Sequence, residues 1–383
     1  MSVWDDVVGQ PAVVAELGAA AADPAAMTHA WLFTGPPGSG RSNAARAFAA
    51  ALQCPDKGCG ECRACRTIMA GTHADVREIV PEGLSISVAE MRALVQLAAR
   101  KPSTAPWQIV IIGDADRLTE GASNALLKAV EEPAPETVFL LCAPSDHPDD
   151  VPITIRSRCR PVSLRTPSAE AVAGVLRDRD GIDPDQADWA ASVAGGHVGR
   201  ARRLARDAHA RKRRESILAV PTGLHRLGDA FAHADALISS AEAEANELRE
   251  QRDEVEREEL AVAMGAGGTG KGVAGAARAA KAAERDLEKR QKSRATRTQR
   301  DALDRALVDL AGFYRDTLVA GSGAGVALTN PDRDREIRTA AAEWTAESTL
   351  RRLEAVLACR EALEQNVKPR IAVEAMMTAL HRG

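Results

Sequence analysis

Aromatic side chains are scarce: five Phe, five Trp and one Tyr, together 3% of the 383 residues. A surface that reads single strands by stacking bases on an aromatic platform is therefore a poor expectation. Strong net charge is missing as well. The balance of −4 at pH 7 argues against a chain that is basic throughout and leaves only local patches for nucleic acid. No apolar run approaches the ~18 residues of a membrane span. The opening stretch MSVWDDVVGQ is acidic and lacks the charged-then-apolar order of a secretion signal. These absences lead to the expectation of a cytoplasmic protein, in a compartment where disulfides are rare.

What is present suits a globular protein: 45% hydrophobic and 27% charged residues, in a chain long enough for two or three domains. Over the first ~165 residues, apolar runs alternate with helical patterns. Trp31-Leu32-Phe33, Val76–Val80, QIVII and TVFLLCA read as strands; SNAARAFAAAL and SNALLKAVEEP read as helices. Ser87 and Glu90 have the spacing of a capping box. Apolar strands separated by helices predict a parallel sheet covered on both faces. Thr166-Pro167 marks the start of a second, small helical unit. From ~210 onward the pattern is helical.

Residues 35–42 read GPPGSGRS. A phosphate-binding loop has the pattern G-x-x-x-x-G-K-[ST], with a strand before it and a helix after it. Both neighbours are present, and Gly35, Gly38, Ser39, Gly40, Arg41 and Ser42 can still offer backbone N–H groups. Arg41 stands where Lys belongs, and a planar guanidinium does not replace a compact ammonium at the β/γ-phosphates. The apolar strand IVII ends at Asp114, a magnesium-side acid, but the next position, where a water-activating Glu would sit, is Ala115. Asp116 is one residue too far along. Two readings stay open: a weakened nucleotide site, or a loop retained for its fold. Both predict a scaffold that does not hydrolyse ATP. A second Gly-rich stretch, GAGGTGKG at 265–272, follows a charged helix and lacks the hydroxyl; it reads as a linker.

Four of the seven cysteines, Cys54, Cys59, Cys62 and Cys65, fall within twelve residues. That spacing puts four thiolates within reach of one tetrahedral ion, and a closed four-Cys set is structural because it leaves no open position. Zinc is the first reading; an iron–sulfur cluster is the rival. The intervening residues suit turns and solvent. Cys142 and Cys359 stand alone in apolar stretches and read as core.

Residues 241–260 hold nine acidic and three basic residues, and 271–300 hold ten basic and three acidic. A helical hairpin with oppositely charged arms side by side fits this pattern. The rival is a basic arm that touches nucleic-acid phosphates.

DVVGQ (6–10), THAWLFTGPPGSGRS, the four-cysteine module directly after a helix, SNALLKAVEEP, and TIRSRCR (154–160) together resemble the AAA+ subunits of bacterial DNA polymerase III clamp loaders. The degenerate nucleotide loop makes the chain more similar to the delta-prime type than to the ATP-hydrolysing gamma/tau type. The similarity covers the first ~205 residues closely and the remainder only in general character. It implies an α/β AAA+ P-loop domain with a parallel sheet over 1–165, with the zinc module inserted at 54–65. A helical lid at 166–208 and an all-α collar at 209–383 follow, the collar carrying the charged hairpin at about 241–300. It also implies a non-motor, stator-like subunit that helps to load a sliding clamp onto primed DNA. Its partners would be gamma/tau and delta-type subunits, with the clamp contacted indirectly, in the cytoplasm at replication forks. The arginine of Ser157-Arg158-Cys159 would reach into a neighbouring subunit's ATP site as a finger, rather than be a surface Arg paired with a carboxylate. The subunit's own site, Gly35 to Ser42 with Asp114, would hold ATP and magnesium weakly or not at all. Departures in the lid (GGHVGRARRL, 195–204) and after the fourth strand (CAPSDHP, 142–148) point the same way. Two alternatives remain: an active gamma/tau-like ATPase in which Arg41 replaces Lys, and a zinc-bearing nucleic-acid adaptor that uses 278–300.

Overall fold

The computed structural model describes residues 2–263 and 273–383, which form two compact units. The first holds the chain to Arg206 except Glu82–Leu84; the second holds those three residues and Asp207 onward. The three helices after Thr166 group with the sheet in one unit.

The first unit is a five-stranded parallel sheet in the order β2-β3-β4-β1-β5. Its strands are β1 (Ala30–Thr34), β2 (Val76–Ile79), β3 (Gln108–Ile112), β4 (Thr137–Ala143) and β5 (Arg160–Ser163). The helices are α1 (Pro11–Ala22), α2 (Arg41–Gln53), α3 (Arg63–Met69), α4 (Val88–Ala98), α5 (Glu120–Glu131), α6 (Ile153–Arg156), α7 (Ala169–Asp178), α8 (Pro184–Val193) and α9 (Val198–Arg206). Successive strand residues point to opposite faces, so each central strand feeds two cores. Trp31, Phe33, Ile109, Ile111 and Leu140 pack with Phe48 of α2 on one side. Leu32, Val110, Ile112, Phe139 and Leu141 pack with Met91 of α4 and Leu126 of α5 on the other. The capping box is formed: the Glu90 N–H donates to Ser87 Oγ at 3.3 Å and the Ser87 N–H to Glu90 Oε2 at 2.8 Å. β5 and α1 are two of the elements that escape a sequence reading. β5 is a four-residue edge strand containing Pro161, which an edge tolerates because one side of it needs no N–H. α1 is rich in Ala and has little apolar periodicity to mark it.

Asp75, one residue before β2, is buried and holds the turn after α4. Its carboxylate accepts the N–H and hydroxyl of Ser103 (2.7 and 2.7 Å) and of Thr104 (2.7 and 2.6 Å). Burial alone would raise its pKa, but these four donors hold it at about 2. The folded value lies below the unfolded ~3.9, so the stabilisation, roughly 2.5 kcal/mol, is complete above about pH 4 and is lost as pH falls through about 2. Asp75→Asn should therefore destabilise the protein at neutral pH by about that amount or somewhat more. The gap from the parent should narrow in urea melts run from pH 4 downward; a gap that does not change with pH would contradict this account.

The second unit is helical among the described residues: α10 (Ala208–Leu218), α11 (Val220–Gly223), α12 (Leu227–Ala263), α13 (Val273–Ser322), α14 (Asp334–Glu343), α15 (Ala346–Glu364) and α16 (Pro369–Arg382). Leu237 and Ile238 of α12, Leu303, Leu307, Leu310 and Phe313 of α13, Val356 of α15 and Met377 of α16 share one core. Arg214 is buried, and its two terminal nitrogens donate to Asp332 Oδ2 at 2.6 Å and to Asn330 Oδ1 at 2.7 Å. Breaking one partner of such a buried group is costly, so this network pins the loop before α14. The charged segment at 241–300 is thus the distal part of two long helices whose proximal parts build the core. The expected tip, 265–272, lies outside the described residues.

Candidate functional site

The loop between β1 and α2 turns on glycines in left-handed conformations, Gly38 (φ +87) and Gly40 (φ +92), values that L side chains rarely adopt. Gly40 is the N-cap of α2, so the first N–H groups of a 13-residue helix face the loop without helical partners. Gln10, from DVVGQ, braces the loop from behind. Its amide donates to the carbonyl of Ser39 (3.3 Å) and to that of Arg165, and its Oε1 accepts the Arg165 N–H (3.2 Å). One side chain thereby ties the loop to the strand leading into α7–α9.

Those helices also close over the loop. A Cβ at position 38 would stand 2.6 Å from the Cβ of His197, so only glycine permits the approach. His197 and Gln10 are the two residues here that sequence reasoning missed. The Gly-rich context of GGHVG marks a turn, but nothing marks its destination.

The guanidinium of Arg41 donates to the Gly35 carbonyl, folding back across its own loop. A Lys would extend from the same position as a point charge toward phosphate. The Ser39 hydroxyl is buried and lacks a hydrogen-bond partner among the described residues, an unmet group that a polar ligand atom at the loop would satisfy. Loop and helix thus fit an anion, while the Arg41 position does not fit the usual phosphate contact.

Asp114 follows β3, and Ala115–Arg117 make a 3-10 turn. Ala115 is buried in the core, so a methyl group occupies the place of the expected general base. The Asp116 carboxyl is raised from its ordinary value, first by burial and then by the charge of Asp114, with Arg41 pulling the other way. The turn therefore brings Asp116 into the field of Asp114 and Arg41. Cys142, at the end of β4, is fully buried and its thiol is pushed up to about 12, chiefly by burial. Cys359 is also core.

The four cysteines converge. Their sulfurs all lie within 4.8 Å of one another, with Cys54–Cys59 at 3.6 Å and Cys54–Cys62 at 3.7 Å. A tetrahedron of Zn–S bonds near 2.3 Å has edges of about 3.8 Å, so the donor set fits one such ion. The Cys62 N–H points at Cys59 Sγ (3.3 Å) and the Cys65 N–H at Cys62 Sγ (3.4 Å), contacts that favour thiolates. Burial would raise the Cys54 thiol, but N–H groups of Cys59, Gly58 and Asp56 hold it at about 6; burial pushes Cys65 up. The intervening Pro55, Asp56, Lys57, Glu61 and Arg63 are exposed, as their residue types suggest, but two of the ligands are not. Cys54 and Cys65 are buried in the main core, beside α2 and α3, because the apolar helices on either side carry them inward. The N-terminus packs on the same module: the Val3 N–H donates to the Gly58 carbonyl at 3.1 Å and the Trp4 indole to the Lys57 carbonyl at 3.2 Å.

Ser157-Arg158-Cys159 links the single turn α6 to the edge strand β5. Ile155 and Cys159 are buried on either side, which turns Arg158 outward, with 39% of its side chain exposed. It donates to Glu131 Oε1 (2.6 Å), the Thr154 carbonyl (2.8 Å) and Ser157 Oγ (3.2 Å). None of these partners belongs to the Gly35–Ser42 loop. Glu131 ends α5, where a negative charge is disfavoured by the helix dipole and gains from a cation.

Among the described residues no helix is long and apolar enough to cross a membrane. Residues 9–168 match the family described as DNA polymerase III, delta subunit, and residues 297–382 the family described as DNA polymerase III, delta subunit, C terminal. The chain is 32% identical over 209 residues to the delta-prime subunit of DNA polymerase III from Bacillus subtilis, covering 54% of this chain and 62% of that one. It is 35% identical over 175 residues to the tau subunit of the same organism, covering 45% and 30%. With the delta-prime subunit of Pseudomonas aeruginosa it shares 37% identity over 149 residues, covering 37% and 45%. The chain spans less than two thirds of the length of these relatives. A solved gamma subunit-related protein from Thermotoga maritima superposes with a TM-score of 0.39 at 15% identity, covering 96% of this chain and 98% of that one.

Proposed function

We propose that this chain, a relative of the DNA polymerase III delta-prime and tau subunits across its α/β unit, serves as a delta-prime-type subunit of a clamp loader. It assembles with gamma/tau-type and delta-type subunits, and the assembly opens a sliding clamp and sets it on primed DNA. The observation that carries this reading is a division within one unit: the phosphate loop is self-occupied through Arg41 and Gly35, while Arg158 is turned outward by buried neighbours. A subunit so built contributes to a neighbour's chemistry rather than its own.

In that role the cysteine module holds zinc as a structural tie, and the zinc supplies rigidity only. Gln10 and His197 keep the phosphate loop and the lid helices in register. Arg158 is the catalytic residue: its planar guanidinium spreads positive charge over the γ-phosphate oxygens of the ATP bound by the adjacent subunit as charge shifts in the transition state. The lid (166–208) and collar (209–383) have the roles of closing over the loop and holding the ring. The site of action is the replication fork in the cytoplasm.

The deciding experiment is steady-state ATP hydrolysis by the purified chain, with clamp and primed DNA but no other loader subunit. No turnover is expected. Robust turnover would put the gamma/tau-like reading first. Arg41→Lys should restore the point charge and tighten ATP binding by about tenfold, the worth of one charge-assisted contact, measured with a fluorescent nucleotide. Hydrolysis should still be absent, because Ala115 supplies no base; an Arg41→Lys variant that turns over ATP would show that assignment to be wrong.

A further inference from the structure

The distal parts of α12 and α13 sort their charges in a way that their own pairing does not require. Facing inward, Arg294 donates to Asp253 Oδ1 (2.9 Å) and Glu256 Oε2 (2.7 Å), and the buried Gln291 amide donates to the Asp253 carbonyl (3.2 Å). The arginine-rich stretch is therefore divided, and part of it is the glue of the hairpin. Facing outward on α13, Lys281, Arg285, Lys289 and Lys292 are all exposed and lie four, four and three residues apart, so they share one face. Among the described residues none of the four is paired with a carboxylate; Glu284 and Glu288 flank one edge of the stripe. On α12 the exposed outward residues Glu247, Glu250, Glu254 and Glu258 make the matching acidic stripe, three, four and four residues apart. Like charges three or four residues apart oppose helix formation by about 0.2–0.5 kcal/mol per pair. On α13, Glu284 and Glu288 lie three or four residues from Lys281, Arg285 and Lys292 and offset part of that cost; interspersed signs would serve solubility better.

We propose that the outward face of α13 is a docking surface for the phosphate backbone of duplex DNA, with the acidic face of α12 directed away from it. The choice of DNA among polyanions rests on the clamp-loader reading. From Lys281 to Lys292 the stripe rises about 16 Å, and a B-DNA strand presents a phosphate every ~3.4 Å along its axis, so four cations face about five phosphates. Docked on phosphates, such cations position the duplex without reading its sequence. The acidic face repels the same polyanion, which leaves one orientation of the hairpin.

The test uses the full chain and a labelled DNA duplex, with anisotropy followed between about 50 and 200 mM salt. A K281Q/R285Q/K289Q/K292Q variant with unchanged helicity should bind at least about tenfold more weakly at low salt. Its log–log salt slope should be shallower by about 3.6, roughly 0.9 for each of the four cations removed. An E247Q/E250Q/E254Q/E258Q variant should bind more tightly. Equal affinity and slope for the parent and the basic-face variant would overturn the proposal. So would a basic-face variant that keeps DNA but releases a protein subunit from a reconstituted loader. Measured without DNA, ATPase stimulation through Arg158 should be unaffected by the stripe substitutions. Lost DNA binding is therefore read apart from the clamp-loader reading, which fails instead if the parent chain gives no stimulation.

Discussion

Arg158→Ala is expected to lower ATP turnover in a reconstituted clamp loader by about 10³-fold at the site this residue completes, the scale of a finger supplied in trans. Clamp loading should fall with it, while the chain's own melting temperature barely moves. The magnitudes make the two outcomes separable. A 10³-fold rate effect corresponds to about 4 kcal/mol of transition-state stabilisation. The half-exposed pair with Glu131 is worth about 0–1 kcal/mol, as exposed ion pairs generally are. Leaving Glu131 for a neighbour's γ-phosphate is therefore a small cost against a large gain. Arg158→Lys should rescue little, because a point charge cannot span two phosphate oxygens as the planar fork does. Glu131→Gln should leave stimulated turnover within a few-fold of the parent, since it removes only the resting partner. If Arg158→Ala turned over normally, Arg158 would be no more than a surface partner of Glu131.

Loss of the metal should have the largest effect on stability. The purified chain should contain one zinc, and Cys62→Ser should abolish it. Structural zinc sites in small domains carry about 10–16 kcal/mol of apparent binding free energy. Here two ligands, Cys54 and Cys65, are anchored in the core, so only part of that is folding energy, and a loss of several kcal/mol is the reasonable scale. For a unit of this size, each kcal/mol shifts the melting temperature by about 2–4 °C, so chelation should lower it by about 10 °C. The indole of Trp4 donates to Lys57 inside the module, so chelation should also change a fluorescence component that Trp4→Phe removes. Iron with a visible absorption band, or a melt indifferent to chelator, would refute the zinc assignment.

Much of the first unit was legible in the sequence because its signals are local. Strands that are apolar throughout, such as QIVII and TVFLLCA, can be stable only between two covering layers, and they became the central β3 and β4. Ser87 and Glu90 announced the start of α4 at a fixed spacing. The cysteine spacing alone brought four sulfurs together. β5 was hidden because an edge strand needs neither length nor a continuous apolar run. The depth of Cys54 and Cys65 was hidden because burial comes from α2 and α3 packing on the sheet, not from the residues between the cysteines.

Residue type and spacing were enough to read the parallel sheet, the glycine loop with Arg41 and Ala115 out of pattern, the thiol set, and the opposed charges of the long helices. Each depends on residue type at fixed spacing along one element. Where the chain's surplus groups go depends on packing between distant elements. The fold turned Arg41 onto Gly35, set His197 over Gly38, gave Arg158 a resting partner in Glu131, and split the basic arm into Arg294 inside and Lys281, Arg285, Lys289 and Lys292 outside. Those choices join residues far apart in the chain, and no spacing encodes them. They follow from which surfaces the packed elements leave exposed, and from the cost of leaving a buried polar group without a partner.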